Sequence, residues 1–447
     1  MELKWSRFIF WIELENNKKS VARNTLTAGT IKLNKKIKNE IDLMLNSKQK
    51  IGNMALPIKN YIEQLIKLEM IVPSRLNEKE KYLNLFHKAR HEDKTFGIYL
   101  ITTRNCQFNC PYCFERGIYR NKSMSIGTAK EIVLWTNRYL DNHKDCRKLR
   151  IVLYGGEPLL NKRVIRYILP KFYEIAKERC LQFEHGIITN GELLDFEILS
   201  FLNRYNLDRV QITLDGPKDT HNKRRVRKNG KGTFDNIMKN ILSGFSQKLL
   251  KKVYLRINFD RQNVDSMPEL FDFLVKHNLQ KKIELSFGII TPTICKESGQ
   301  RVADIYFKQF GLSSNENADK YLWLCEEAKK RGFDIPQEYL AGPWCTARKI
   351  HSAVIEPDGT LLKCISTVGR KEFVFGDIFS TSKTYDSRFS NFSYLKECLS
   401  GDCPFVPICG GDCRFEAYIA SGNLSRPHCR RELIEKINKG LVRLNFE

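Results

Sequence analysis

From Thr95 to about Pro292 the chain alternates strand-like runs with helix-like stretches, six times over. The strand-like runs are Ile98–Thr103, Arg150–Tyr154, Phe183–Thr189, Arg209–Leu214, Lys252–Phe259 and Lys282–Ile290. Between them lie apolar residues at helical spacing, as in Thr128–Leu140, Val164–Arg179 and Thr233–Ser243. Six such repeats with buried-type strands predict an α/β fold built on a parallel sheet, curved as a partial (β/α)6 barrel. In sheets of that kind ligands sit at the carboxyl ends of the strands. Chemistry is therefore expected where strands end.

The first strand runs straight into Cys106-Gln-Phe-Asn-Cys110-Pro-Tyr112-Cys113. Thiolates are soft ligands that suit iron–sulfur clusters or zinc. A structural zinc takes four protein ligands, whereas a cubane has four irons and tolerates one left open. Three close cysteines without a local fourth suggest the cubane; half a zinc site and three unrelated thiols are the competing readings. Gly155-Gly156-Glu157-Pro158 follows the second strand. Its glycines would let backbone approach a ligand, and its carboxylate could accept from an ammonium group; alone it would also read as a turn. Thr189-Asn-Gly191 ends the third strand and Thr213-Leu-Asp-Gly-Pro217 the fourth. The latter leads through His221 and Arg225 to Gly230-Lys-Gly-Thr-Phe234. Arg256 and Asn258 alternate on the fifth strand and could line a cavity.

Taken together, these motifs resemble those of the radical SAM enzymes, whose signature Cys-x3-Cys-x-aromatic-Cys is met at Cys106, Cys110, Tyr112 and Cys113. The resemblance implies a [4Fe–4S] cluster on those three cysteines whose open iron binds S-adenosylmethionine. It also implies reductive cleavage to a 5′-deoxyadenosyl radical, with electrons from a donor of flavodoxin or ferredoxin type. Tyr112 belongs to that signature, and Gly155, Gly156, Glu157 and Pro158 would hold the methionyl amino group. Thr213 and Arg225 would contact ribose or carboxylate, while Asp215 orders its loop.

The carboxy-terminal third carries Cys345, Gly359 and Cys364, then Cys398, Cys403, Cys409, Cys413 and Cys429. Pro357-Asp-Gly359 reads as a hairpin turn, since proline presets one dihedral and glycine supplies the positive one. The spacing resembles a SPASM extension, except that Cys398 and Cys403 are separated by four residues rather than two. The resemblance implies two auxiliary [4Fe–4S] clusters, one on Cys345, Cys364 and Cys413 and one on Cys398, Cys403, Cys409 and Cys429. The first set lacks a fourth ligand: an open iron, His351 and Cys325 are the options. Cys146, Cys180 and Cys295 read as ordinary thiols.

Ahead of the repeats, Phe8–Leu14, Ser20–Asn24 and Thr30–Leu33 read as strands and Lys36–Leu45 and Met54–Met70 as helices. Strands then helices suggest a small winged-helix-like module. Arg23–Asn34 is similar to the start of peptide-maturing radical SAM proteins, where such a module docks a leader peptide by strand addition; simple packing on the barrel is the alternative. The expected partition is 1–92 for this module, 93–335 for the barrel and 336–447 for the cysteine-rich extension.

Length suffices for two or three domains. No run approaches a membrane helix, and Phe8–Ile12 is too short for a secretory h-region, so the chain reads as cytoplasmic. In that compartment thiols stay reduced, and fourteen cysteines point to clusters rather than disulfides. The net charge of +24 fits either a solvated basic surface or steering toward an acidic peptide or nucleic acid.

These features favour a peptide-modifying enzyme acting on a ribosomally made precursor and forming a thioether or carbon–carbon crosslink. The rival is an anaerobic sulfatase maturase making formylglycine on a protein. Those enzymes carry an acidic base after the cysteine matching Cys364, where this chain has Ile365; Asp358 and Asp377 would have to substitute. A nucleic-acid modifier would rest on charge alone, for no aromatic-and-basic stacking platform is seen. A non-catalytic cluster protein conflicts with the intact first motif.

Overall fold

The computed structural model describes residues 2–14, 18–47, 56–115, 121–291, 301–340, 345–380 and 384–446. Cys295 and Met54 lie outside them. The chain divides into two compact units: Met1–Glu92 with Pro336–Trp344 and Asn391–Glu447, and Asp93–Ile335 with Cys345–Ser390.

In the first unit, β1 (Leu3–Trp5) pairs with β5 (Ile71–Pro73), and β2 (Ile9–Glu13), β3 (Lys19–Asn24) and β4 (Thr30–Asn34) form an antiparallel meander. Period-two alternation gives this small sheet two apolar faces. Ala22 and Leu33 pack against Ile41, Met44, Ile62 and Leu65 of helices Lys35–Ser47 and Leu56–Lys67. Phe10, Ile12 and Val21 pack instead against Phe405, Ile408, Ile434 and Val442, from the far end of the chain. A third cluster joins Phe8, Tyr82 and Phe86 to Tyr394, Leu395, Leu399 and Val406. The amino-terminal module and the last cysteine-rich segment thus share their cores, whereas the sequence reading separated them.

The second unit is built on a nine-stranded sheet. Its parallel part runs in chain order: β6 (Thr95–Thr103), β7 (Lys148–Gly155), β8 (Gln182–Thr189), β9 (Leu207–Thr213), β10 (Val253–Phe259) and β11 (Ile283–Ile289). These are the six expected strands. Helices such as Ile126–Asn142 and Lys162–Glu178 bury Trp135 and Tyr139, and Ile165, Ile168 and Phe172. The strands are less apolar than expected. β10 alternates buried Leu255, Ile257 and Phe259 with half-buried Arg256 and Asn258, and Glu184 of β8 pairs with both Lys148 and Arg150 of β7. One face packs on helices and the other is polar.

β12 (Ser352–Ile355) extends the sheet on the free side of β6, in parallel register from Ser352↔Gly97 to Ile355↔Leu100. β13 (Thr360–Leu362) returns antiparallel through the Pro357-Asp-Gly359 turn, where Gly359 has φ +87°, and β14 (Gly376–Asp377) pairs with β13. The hairpin between Cys345 and Cys364 is therefore part of the central sheet, which sequence reading placed in a separate extension. Among the described residues no helix is long and apolar enough to cross a membrane.

Candidate active site

The three-cysteine loop leaves the carboxyl end of β6 and is pinned from two sides. On one, Gly156 N–H donates to Thr103 O (3.0 Å) and Glu157 N–H to Asn105 O (2.8 Å). On the other, Asn109 N–H donates to Val226 O (2.8 Å) and Lys228 N–H to Gln107 O (2.9 Å). The glycines after β7 serve this contact. A Cβ on Gly155, at φ +131°, would overlap the Thr103 carbonyl oxygen, and one on Gly156 would lie 2.5 Å from Asn105 O and 2.6 Å from Arg104 O. The backbone they admit so closely is the cluster loop itself.

Glu157 is fully buried. Its carboxylate accepts from Thr189 Oγ1 (2.8 and 3.0 Å), Asn190 N–H (2.7 Å) and Leu159 N–H (3.0 Å). It braces one strand end against the next. Asn190 continues the link, its Nδ2 lying 3.9 Å from Cys106 Sγ. Thr189 and Asn190 thus join the site; their signal in the sequence was the Thr-Asn-Gly at the third strand's end.

Burial pushes the Cys106 thiol up to about 12, opposed by the Phe108 N–H and reinforced by Glu157, Cys110 and Cys113. Burial also raises Cys110, while Arg225 lowers it. The three sulfurs therefore share one electrostatic neighbourhood. Buried thiols of this kind become thiolates when a bound cation takes the place of the proton. A sulfur-only donor set next to a cationic guanidinium fits an iron–sulfur cluster.

Tyr112 donates its hydroxyl hydrogen to Asp215 and accepts from Arg225 Nη1 (2.7 Å). Asp215, fully buried, also accepts from Asn258 N–H (3.0 Å). Burial works against the Arg225 charge, yet Tyr112, Cys110 and Asp215 raise its pKa above the ordinary value. Neighbouring Arg224 lies 5.0 Å over the Tyr112 ring and is paired with Asp260 at 2.8 Å. Thr213 is the last residue of β9, beside Arg256 of β10. Tyr112 and Arg225 are thus drawn into one internal network around Asp215.

The Radical SAM superfamily model matches residues 100–274. This chain carries a radical SAM domain. The cyclopropyl synthase TigE of Paramaledivibacter caminithermalis, itself a radical SAM protein, is 23% identical over 80% of this chain and 76% of its own length. A cysteine-type anaerobic sulfatase-maturating enzyme of Clostridium novyi is 24% identical over 69% of this chain and 85% of its own. Among solved structures, native anSMEcpe with bound AdoMet shares the fold at TM-score 0.61 and 17% identity, covering 78% of this chain and 98% of that one. The same protein has been solved with AdoMet and a Kp18Cys peptide, again at TM-score 0.61.

A radical SAM domain is an oxidoreductase module that works with S-adenosylmethionine and a [4Fe–4S] cluster. Outside the matched region, Cys398, Cys403 and Cys429 lie within electrostatic reach of one another in the first unit. Cys409 packs against the same apolar cluster as Cys403, and Cys413 precedes helix Arg414–Ser421. In the second unit Cys345 is exposed and Cys364 buried, on either side of the β12–β13 hairpin. Cys325 is fully buried in helix Ser314–Lys330, and burial alone raises its pKa. His351 is engaged with Tyr139, whose hydroxyl lies 2.7 Å from Nδ1.

Proposed function

We propose that this radical SAM enzyme modifies a peptide or protein, and that its product is a thioether or carbon–carbon crosslink in a ribosomally made precursor. The observation that carries the reading is the cysteine loop, held at the carboxyl end of β6 by the Gly155–Gly156 contact and by Asn190. Cys106, Cys110 and Cys113 would hold the catalytic cluster. When bound, cluster and S-adenosylmethionine supply a strongly oxidising carbon radical that abstracts hydrogen. The chain's own task is positional: Glu157 fixes the strand ends, and the Arg225–Tyr112–Asp215 network keeps a positive charge beside Cys110. Cys398, Cys403, Cys409 and Cys429 would hold one auxiliary cluster, and Cys345 and Cys364 would be among the ligands of another, giving about twelve irons per chain with the three [4Fe–4S] groups.

A sulfatase-maturating relative and a structural neighbour solved with a Kp18Cys peptide support peptide or protein chemistry, and the β2–β3–β4 sheet has the form that accepts an added strand. The rival, formylglycine formation, needs a base. Asp358 is ion-paired with Lys122 at 2.7 Å, and although burial opposes it, bonds from Lys122 and Thr360 bring it down to about 2. A hydrogen bond from Ser380 lowers Asp377. Carboxylates held low are weak bases, and position 365 is Ile365. The deciding experiment is mass spectrometry of small cysteine-containing precursor peptides after incubation with reduced enzyme and S-adenosylmethionine. Leader-dependent loss of two hydrogens per event supports the crosslinking reading. Formylglycine on a sulfatase-derived peptide, with the precursors unchanged, supports the rival.

A further inference from the structure

The amino-terminal ends of the sheet carry a second constellation, at the opposite end of β6 from the cysteine loop. Three adjacent parallel strands begin here: β7 after Asp145-Cys146, β6 after Asp93, and β12 after His351. The Cys146 sulfur, a ring nitrogen of His351 and a carboxylate oxygen of Asp145 lie within 4.8 Å of one another. Cys146 and His351 are buried, 2% and 7% exposed, and Asp145 is exposed. From sequence alone Cys146 reads as an ordinary thiol.

The surroundings are built as a metal site's are. Ligating imidazoles are usually fixed through their other ring nitrogen, and Tyr139 Oη, 2.7 Å from His351 Nδ1, leaves Nε2 for a metal. Tyr139 Oη is also 3.0 Å from Thr384 Oγ1, so the orienting hydroxyl is itself fixed. The His143 ring, centred 5.3 Å from that of His351, stacks on Tyr139 with Nδ1 2.8 Å from the Tyr139 carbonyl oxygen. Asp93 is paired with Lys349 at 2.6 Å, which leaves the Asp145 carboxylate as the oxygen donor.

We propose that Cys146, His351 and Asp145 bind one zinc ion, with neighbouring His143 turning in as the fourth protein ligand that a structural site takes. One sulfur, one nitrogen and one oxygen form a borderline-soft set that suits zinc better than magnesium or calcium. The role is structural. β12 joins the sheet beside β6 although some 250 residues separate them in sequence, and closing so long a loop costs entropy that a metal clip offsets. Zinc here ties the start of β12 to the start of β7, across the strand between them.

The test is metal analysis of full-length protein purified anaerobically without added metal. The expected content is about one zinc per chain, beyond the cluster iron. Cys146→Ser and His351→Gln should each lower zinc at least about fivefold and leave iron unchanged. Chelation of wild-type should speed hydrogen exchange in Ser352–Ile355 and spare Ile283–Ile289. Wild-type protein without zinc, zinc retained in both variants, or iron lost in step with zinc would each overturn the proposal. If either variant misfolds, Asp145→Asn at the exposed ligand and cobalt(II) substitution decide. Wild-type cobalt protein should show a thiolate charge-transfer band that weakens in Asp145→Asn; a band absent from wild-type, or unchanged in that variant, counts against the site.

Discussion

The two units reach a closed core by opposite routes. In the second, six parallel strands lie in chain order, so each strand finds its neighbour after one helical crossover. In the first, a three-stranded sheet covers one face with its own helices and the other with residues from more than 380 positions later, Phe10 meeting Phe405 at 5.0 Å between ring centroids. A sheet so small is marginal alone and needs packing on both sides. The contrast teaches that a repeated local pattern exposes its own pairing, whereas a composite core leaves no trace in either segment.

The largest effect expected is on chemistry in the sequential unit. Cys106→Ala should abolish reductive release of 5′-deoxyadenosine while the sheet stays folded, measured by chromatography of reduced, reconstituted enzyme beside a circular dichroism spectrum. Retained release would remove Cys106 from the catalytic cluster. The next tests the composite core: Phe405→Ala should cost about 3–5 kcal/mol within that unit, seen as faster hydrogen exchange in β2 and β3. Exchange speeding only near residue 405 would mean that the two segments are independent after all.

Gly156→Ala asks whether the loop contact is as tight as it looks. Overpacking of this kind costs about 1–3 kcal/mol, and it should lower the iron retained by the first cluster; unchanged iron would show that the loop gives way freely. The smallest effect is a pH dependence in the sheet. His185 donates through Nε2 to Leu202 O (3.0 Å), and burial lowers its pKa to about 4. Its folded value lies below its unfolded one, so its stability contribution is present above about 6.5 and lost as pH falls toward 4. His185→Gln, keeping a donor without a titrating ring, should flatten denaturation midpoints between those pH values. An equally steep curve would place the acid sensitivity elsewhere.

What the sequence determined by itself is what short-range physics controls. The six βα repeats, the cysteine loop after the first strand, the Pro357-Asp-Gly359 turn and the three amino-terminal strands follow from periodicity and from residues with restricted dihedrals. Only the tertiary structure decided where distant segments meet. It seated the cysteine loop on Gly155 and Gly156 and set Glu157 as a brace on Thr189 and Asn190. It placed β12 beside β6, joined both chain ends in one core, and set Cys146 against His351. Contacts of that kind depend on shape and burial across hundreds of residues, and apolar side chains such as Phe10 and Phe405 carry no mark of the partner they will bury.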